Sequence, residues 1–294
     1  MAIKQNKNRK TKIIAEIGGN HRGKFDTAIK MIDVASQYCD IIKFQKRHVK
    51  SNLSNKEYNK PHPNPFNSYG HTYGEHRDFL EFSIKEHLEF KKRCEKKNRI
   101  YSCSVWDLIS AKEIIKLNLS IIKIPSACNL NKELLEYVFK NHKNEIHISL
   151  GMTTNEQTEK IFKFSQKYKK NKDLVLYACT SSYPANTKDL YLKQICYLDN
   201  KYSKKIKSIG FSGHHTTIIP DVAAIAFGVK YIERHFTLNK SWKGTDHSAS
   251  LESDQFRILM RNLISIEEAN KTKPDKILDV EKSDFKKLKK VRTL

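Results

Sequence analysis

The chain has 294 residues, with 55 Lys plus Arg against 32 Asp plus Glu (a formal charge of +23), and it is 38% hydrophobic, 10% aromatic and 30% charged. That apolar and aromatic content excludes a wholly disordered chain, and the length suits either two ordinary domains or one large α/β barrel. The charge would suit nucleic acid, an anionic membrane or a polyanion. Only ten of the 55 basic residues are Arg, however, the side chain that reads phosphate and guanine bidentately. The excess therefore reads as a lysine-rich solvated surface, and no nucleic acid is expected.

Residues 1–11 form a basic, flexible N-terminus without the apolar core of a secretory signal. No apolar run approaches the roughly 18 residues of a membrane span. No membrane partner is expected, and the cytoplasm is the default location. The cysteines (Cys39, Cys94, Cys103, Cys128, Cys179, Cys196) never fall in a C-x-x-C pair, which argues against a zinc ribbon and for reduced thiols.

Strands are predicted at 12–17, 40–45, 99–104, 120–125, 145–150, 173–179, 207–212 and 230–236, each followed by helical periodicity. Phe25, Ala28, Ile29, Ile32 and Ala35 make one apolar stripe; Phe256, Leu259, Met260, Leu263 and Ile266 make another. Pro220 suits the first turn of a helix that Gly228 ends. Eight βα units at this spacing predict a single-domain TIM (β/α)8 barrel over 12–270, with a doubly wound open sheet as the alternative. The long gap after the second strand predicts a lid over 46–80, rich in Asn, Pro, Tyr and His. Residues 271–294 read as a tail packed loosely outside the barrel.

A barrel of this kind carries its site at the C-terminal ends of its strands. Every strand delivers a polar group there: Glu16, Lys43 and Gln45, Ser104, Lys123 and Ser126, Ser149, Ser181 and Tyr183, Ser212 and His214, and His235. Lys43 and Lys123 sit in otherwise apolar strands (IIKFQ, IIKIP), where an unpaired ammonium is costly to bury, so they call for an anion. A substrate carboxylate or phosphate would serve, with serine hydroxyls binding the remaining oxygens. His214 and His235 end consecutive strands; they are either two ligands of one divalent metal or two hydrogen-bonded rim histidines. Glu16 is either a general base or the counter-ion of the lysines.

The runs IIAEIGGNHRG, IIKFQK, TYGEHRDFLEFS, CTSSYP, GFSGHH and IERHFTLNKSWKGTDHSASLE resemble the sialic acid synthases over residues 12 to 268. The resemblance implies a TIM barrel that condenses phosphoenolpyruvate with an aldose, an N-acylated or phosphorylated hexose aldehyde (N-acetylmannosamine, its 6-phosphate or a related sugar), using Mn2+ or Mg2+, and it admits a homodimer. It implies that Lys43, Gln45, Ser104, Lys123, Ser126 and Ser212 form the phosphoenolpyruvate pocket, that His214 and His235 are metal ligands, and that Glu16, Tyr183 and Asp246 have catalytic or sugar-side roles. Ser149 and Ser181 join the substrate-binding set. Legionaminic, pseudaminic or Kdn-type products are alternatives, as are a Schiff-base aldolase and a non-catalytic polyanion-binding homologue. Two departures stand out: Cys128 replaces an acid expected near the sugar, and the sequence stops at VRTL, about where the linker to the antifreeze-like domain of many members begins.

Overall fold

The structure is a computed structural model that describes residues 9–290. Eight strands, β1 (Lys12–Glu16), β2 (Ile41–Lys46), β3 (Ile100–Val105), β4 (Ile121–Ile124), β5 (Glu145–Ser149), β6 (Leu174–Cys179), β7 (Ser208–Gly213) and β8 (Tyr231–His235), pair in parallel in chain order. β8 returns to β1, so the sheet closes into the expected barrel with helices outside. The ladder at β4 stops before Pro125, which has no N–H to donate and instead opens a short turn at Ser126–Cys128.

The period of two along each strand divides the core in two. Outward residues such as Ile13, Ile42, Phe44, Ile122, Ile148, Leu176, Phe211 and Ile232 join the helix faces in one large apolar layer. Helix Phe25–Ala35 contributes Ala28, Met31, Ile32 and Ala35 to it, and helix Ser253–Ala269 contributes Phe256, Leu259, Met260 and Leu263. Inward residues make a smaller plug of Ile14, Ile41, Ile121, Val175, Tyr177 and Tyr231. Gly210 makes room for the plug, because a Cβ there would lie 2.5 Å from the Tyr177 ring. Above it the inward positions turn polar.

Residues 9–11, assigned to the flexible N-terminus by sequence, are tied to the barrel floor: Arg9 pairs with Asp40, and the Thr11 hydroxyl donates to the Val229 carbonyl at 2.9 Å. Residues 1–8 lie outside the described residues. The 46–80 segment holds helices Val49–Asn52, Asn55–Asn59 and Tyr73–Phe79, each of the last two opened by a capping box. It touches the loop after β8, where Tyr69 donates to the Lys243 carbonyl and Gly244 N–H donates to Asn67 at 3.2 Å. Beyond residue 270 a helix at Lys282–Leu288 lies exposed. Among the described residues no helix is long and apolar enough to cross a membrane.

Three histidines are enclosed by this packing. His21 lies against Phe82, and His87 bonds Tyr101 beside Phe90. His147 stands inside the barrel, between the Tyr177 hydroxyl at 2.8 Å and Glu145 at 3.2 Å. Burial pushes His21 and His87 down to about 3 and His147 to about 4. They are neutral in the fold but take up protons below pH ~6.5 when unfolded, so this stability is complete above ~6.5 and is lost as pH falls toward 4. Each should steepen the pH dependence of unfolding free energy by about 1.4 kcal/mol per pH unit in that window, measured by urea titration. His87→Gln should flatten the slope; an unchanged slope contradicts the assignment.

Candidate active site

The inward polar positions meet at the C-terminal mouth because the ladder sets them side by side. Glu16 is in register with Lys43 and with His235, Ser104 with Gln45 and Lys123, and Ser212 with Cys179 and Glu233. They line a cavity of about 220 Å³. Glu16, Lys43, Gln45, Ser104, Lys123, Ser126, Ser149, Ser181, Tyr183, Ser212, His214 and His235 all reach it, as expected from sequence, together with Glu233, Trp106, Met152 and Cys179, which were not singled out.

The lysines already have anions within the protein. Lys43 pairs with Glu16 and lies 3.7 Å from Glu233, while Lys123 donates to both Glu233 oxygens at 3.0 Å. All four side chains are at most 8% exposed. Burial opposes the Lys43 ammonium, but Glu16 and Glu233 outweigh it and raise its pKa. At Lys123 burial wins and the pKa falls, although Glu233 opposes it and the ammonium also sits 3.6 Å from the Tyr177 ring centre. Burial disfavours the Glu233 carboxylate, yet Lys123 and Lys43 hold its pKa far below the usual range. Glu233 stands two residues before His235 on one strand, so the same alternation that places His235 inward was the signal for it.

Hydroxyls surround this tetrad. Ser104 accepts from Lys43 at 2.8 Å and Ser212 donates to Glu233 at 3.1 Å. Ser126 accepts from the Gly151 N–H at 3.1 Å, and the buried Ser181 hydroxyl has no protein partner. A Cβ on Gly151 would collide with both Ser126 and Ser181, so glycine there lets the two hydroxyls converge. These are donors arranged for an anion's oxygens.

At the rim, the His214 and His235 rings lie 5.6 Å apart between centres, and Tyr183 stacks on His214 at 4.0 Å. His214 Nδ1 donates to the Thr180 carbonyl at 2.9 Å, which leaves its Nε2 lone pair available. Burial, then His235, lowers its pKa to about 3, so the ring is neutral. His235 Nδ1 is buried without a hydrogen-bond partner, 4.0 Å from Asp246. Two imidazoles, one neutral and held by a carbonyl and one with an orphaned nitrogen, suit a divalent cation with positions left for substrate oxygens. No three His, Cys, Asp or Glu side chains among the described residues converge as a complete cage. The backbone carrying both rings is braced by Arg234, fully buried, which pairs with Asp221 and donates to the His215 carbonyl and, at 3.0 Å, to that of Thr217.

Asp246 lines a second, adjoining cavity of about 480 Å³, which shares Gln45, Trp106, Tyr183 and His235 with the first and adds Arg47, Arg77, Asn64 and Asn67. Burial would raise the Asp246 pKa, but His235, Arg77 and Arg47 lower it. Cys128, expected near the sugar, lines neither cavity: its thiol donates to the Trp106 carbonyl at 3.1 Å, turned into the packing behind that ring. Arg47 follows the end of β2 and Arg77 lies on the short helix Tyr73–Phe79, so no strand alternation could have marked them.

Fold and site together define a TIM-barrel enzyme whose C-terminal mouth gathers two lysine–glutamate pairs, serine hydroxyls and a pair of histidines. The NeuB family matches residues 31–275, and the chain belongs to that family of synthases. It is 34% identical over 281 residues to human N-acetylneuraminate-9-phosphate synthase, covering 95% of this chain and 76% of the relative. It is 32% identical to N,N'-diacetyllegionaminic acid synthase of Campylobacter jejuni, over 97% of this chain and 84% of that one. The structure of the N-acetylneuraminic acid (sialic acid) synthetase of Leptospira borgpetersenii superposes with a TM-score of 0.81 at 26% identity, over 98% and 96% of the two chains.

Two substitutions test this geometry. Removing the Glu233 charge lowers the Lys123 pKa further, so in Glu233→Gln the alkaline limit of inorganic phosphate binding should move down by at least about one pH unit, read by calorimetry. An unmoved limit means Glu233 does not keep Lys123 charged. Asp221→Asn leaves Arg234 buried without its anion and should cost about 3–5 kcal/mol in urea unfolding. A loss below about 1 kcal/mol rules out the brace.

Proposed function

We propose that this chain condenses phosphoenolpyruvate with an N-acylated or phosphorylated hexose aldehyde, N-acetylmannosamine or a related sugar, to give a sialic-type 2-keto-3-deoxy acid and inorganic phosphate. The observation that carries the reading is the balanced Lys43, Lys123, Glu16 and Glu233 tetrad ringed by serine hydroxyls and open toward the paired His214 and His235. The tetrad keeps both lysines charged in a dry pocket, so an arriving anion meets preformed cations without reorganisation.

In this reading Lys43, Lys123, Ser104, Ser126, Ser149, Ser181 and Ser212 bind the carboxylate and phosphate oxygens of phosphoenolpyruvate, and Gln45 steadies Glu16 by donating to it at 2.8 Å. His214 and His235 would hold a divalent cation, Mn2+ or Mg2+, which would supply Lewis-acid polarisation of the sugar aldehyde. C3 of phosphoenolpyruvate bonds to the aldehyde carbon, leaving positive charge at C2. Water adds at C2 and gives one proton to Glu16, which passes it to the former aldehyde oxygen to make a hydroxyl. The remaining C2 hydroxyl gives its proton to the departing phosphate as the C2–O bond breaks and the ketone forms, so one water is consumed per phosphate released. Tyr183 and Asp246 line the sugar side, and the 46–80 segment closes over it as a lid that excludes water. Lys43, held as ammonium by Glu16 and Glu233, is a poor imine-forming nucleophile, which disfavours the Schiff-base alternative at that residue.

With manganese, phosphoenolpyruvate and a panel of candidate sugars, phosphate should be released only when a suitable sugar is present. Chelation or His235→Ala should lower turnover at least about 1,000-fold while the circular dichroism of the barrel persists. Full activity after chelation refutes the role given to the histidines, and borohydride trapping of a lysine adduct would replace the mechanism.

A further inference from the structure

The second cavity has an electrostatic character that the condensation itself does not require. Arg47 is 8% exposed, lies 3.5 Å over the Trp106 ring and donates to Gln45 at 2.7 Å, while its buried Nε has no hydrogen-bond partner. Arg77, half-buried on helix Tyr73–Phe79, spends Nε and one Nη on the Tyr73 hydroxyl at 3.1 and 3.0 Å. Among the described residues neither guanidinium forms an ion pair with a carboxylate. Burial, followed by the charge of Arg77, pushes the Arg47 pKa down to about 10. Among the described residues Asp246 is the one acid lining this cavity, and it lies 4.0 Å from His235 Nδ1. The amides of Asn64 and Asn67 complete a donor-rich wall.

Two guanidiniums held together in a partly dry cavity repel each other and carry a desolvation cost that neutral hydroxyls do not offset. A dianionic phosphate offset it well, since planar forks match its oxygens bidentately. The tetrad in the first cavity is balanced internally, so this second, positively biased cavity is a separate anion site on the acceptor side of the histidines.

We infer that the acceptor sugar carries a phosphate at the end remote from its aldehyde, bound between Arg47 and Arg77. This rests on the condensation proposed above and names the substrate class within it. Among the relatives, the human protein is named for a 9-phosphate product and the Campylobacter one for an unphosphorylated sugar acid, so the family leaves the choice open.

The test compares kcat/KM for N-acetylmannosamine, its 6-phosphate and a diacetamido hexose, at saturating phosphoenolpyruvate and manganese. The 6-phosphate should be preferred by at least about 100-fold over either unphosphorylated sugar. Arg77→Met should reduce that preference at least about tenfold, with KM for phosphoenolpyruvate within about threefold of the original, and Arg77→Lys should recover part of it. Equal or better use of an unphosphorylated sugar overturns the phosphate site and leaves the condensation standing. So does an Arg77→Met variant that loses all sugars in equal proportion. Phosphate release with none of the sugars overturns both.

Discussion

Inside the mouth of the barrel, two lysines and two glutamates are taken out of water together, and the rest of the site is arranged around that fact. Each charge alone would carry a desolvation cost of several kcal/mol; as a contiguous tetrad they satisfy one another. The Ile14, Ile41, Ile121, Val175, Tyr177 and Tyr231 plug seals them from below, and the Tyr177 ring supports Lys123 from beneath. The pocket above is then a pre-charged surface with hydroxyl donors around it, which is the electrostatic condition for binding a small polyanion and stabilising charge that develops during its reaction.

Positioning is divided between rigid and adaptable elements. The tetrad and serines lie at strand ends, fixed by ladder register. His214 lies just beyond β7 and His235 ends β8, and their backbone is braced by Arg234 and Asp221, a buried pair reaching from β8 back to the helix Ile219–Ala226 that follows β7. The acceptor-side cavity is made largely from the 46–80 segment and the loop after β8. In the proposed reaction, the part common to the chemistry is therefore built on strands, and the part that selects the sugar is built on loops.

Much of this was legible along the chain. Strand positions, the two apolar helical stripes and the inward direction of Lys43 and Lys123 follow from local periodicity, and local periodicity survives folding here because strand and helix faces bury what their spacing dictates. Partner choice was less legible. The unpaired lysines pointed to a substrate anion, whereas Glu233 meets Lys123 across 110 residues of sequence. Cys128 occupies an acid's place in the motif and yet turns away behind Trp106. Arg47 sits in the loop after β2 and Arg77 on a two-turn helix of the 46–80 segment, so only their convergence in one cavity gives them meaning.

The sequence by itself determined the eight-fold βα repeat, the polar strand ends and the kinship with the sialic acid synthases, because these rest on spacing and on long contiguous motifs. Tertiary structure alone decided which charges neutralise one another, which imidazole nitrogen is left without a partner, and where positive charge remains for a ligand. Those depend on distances between side chains remote in sequence. Coulombic and desolvation energies change by several kcal/mol over a few ångströms, a scale that no one-dimensional pattern encodes.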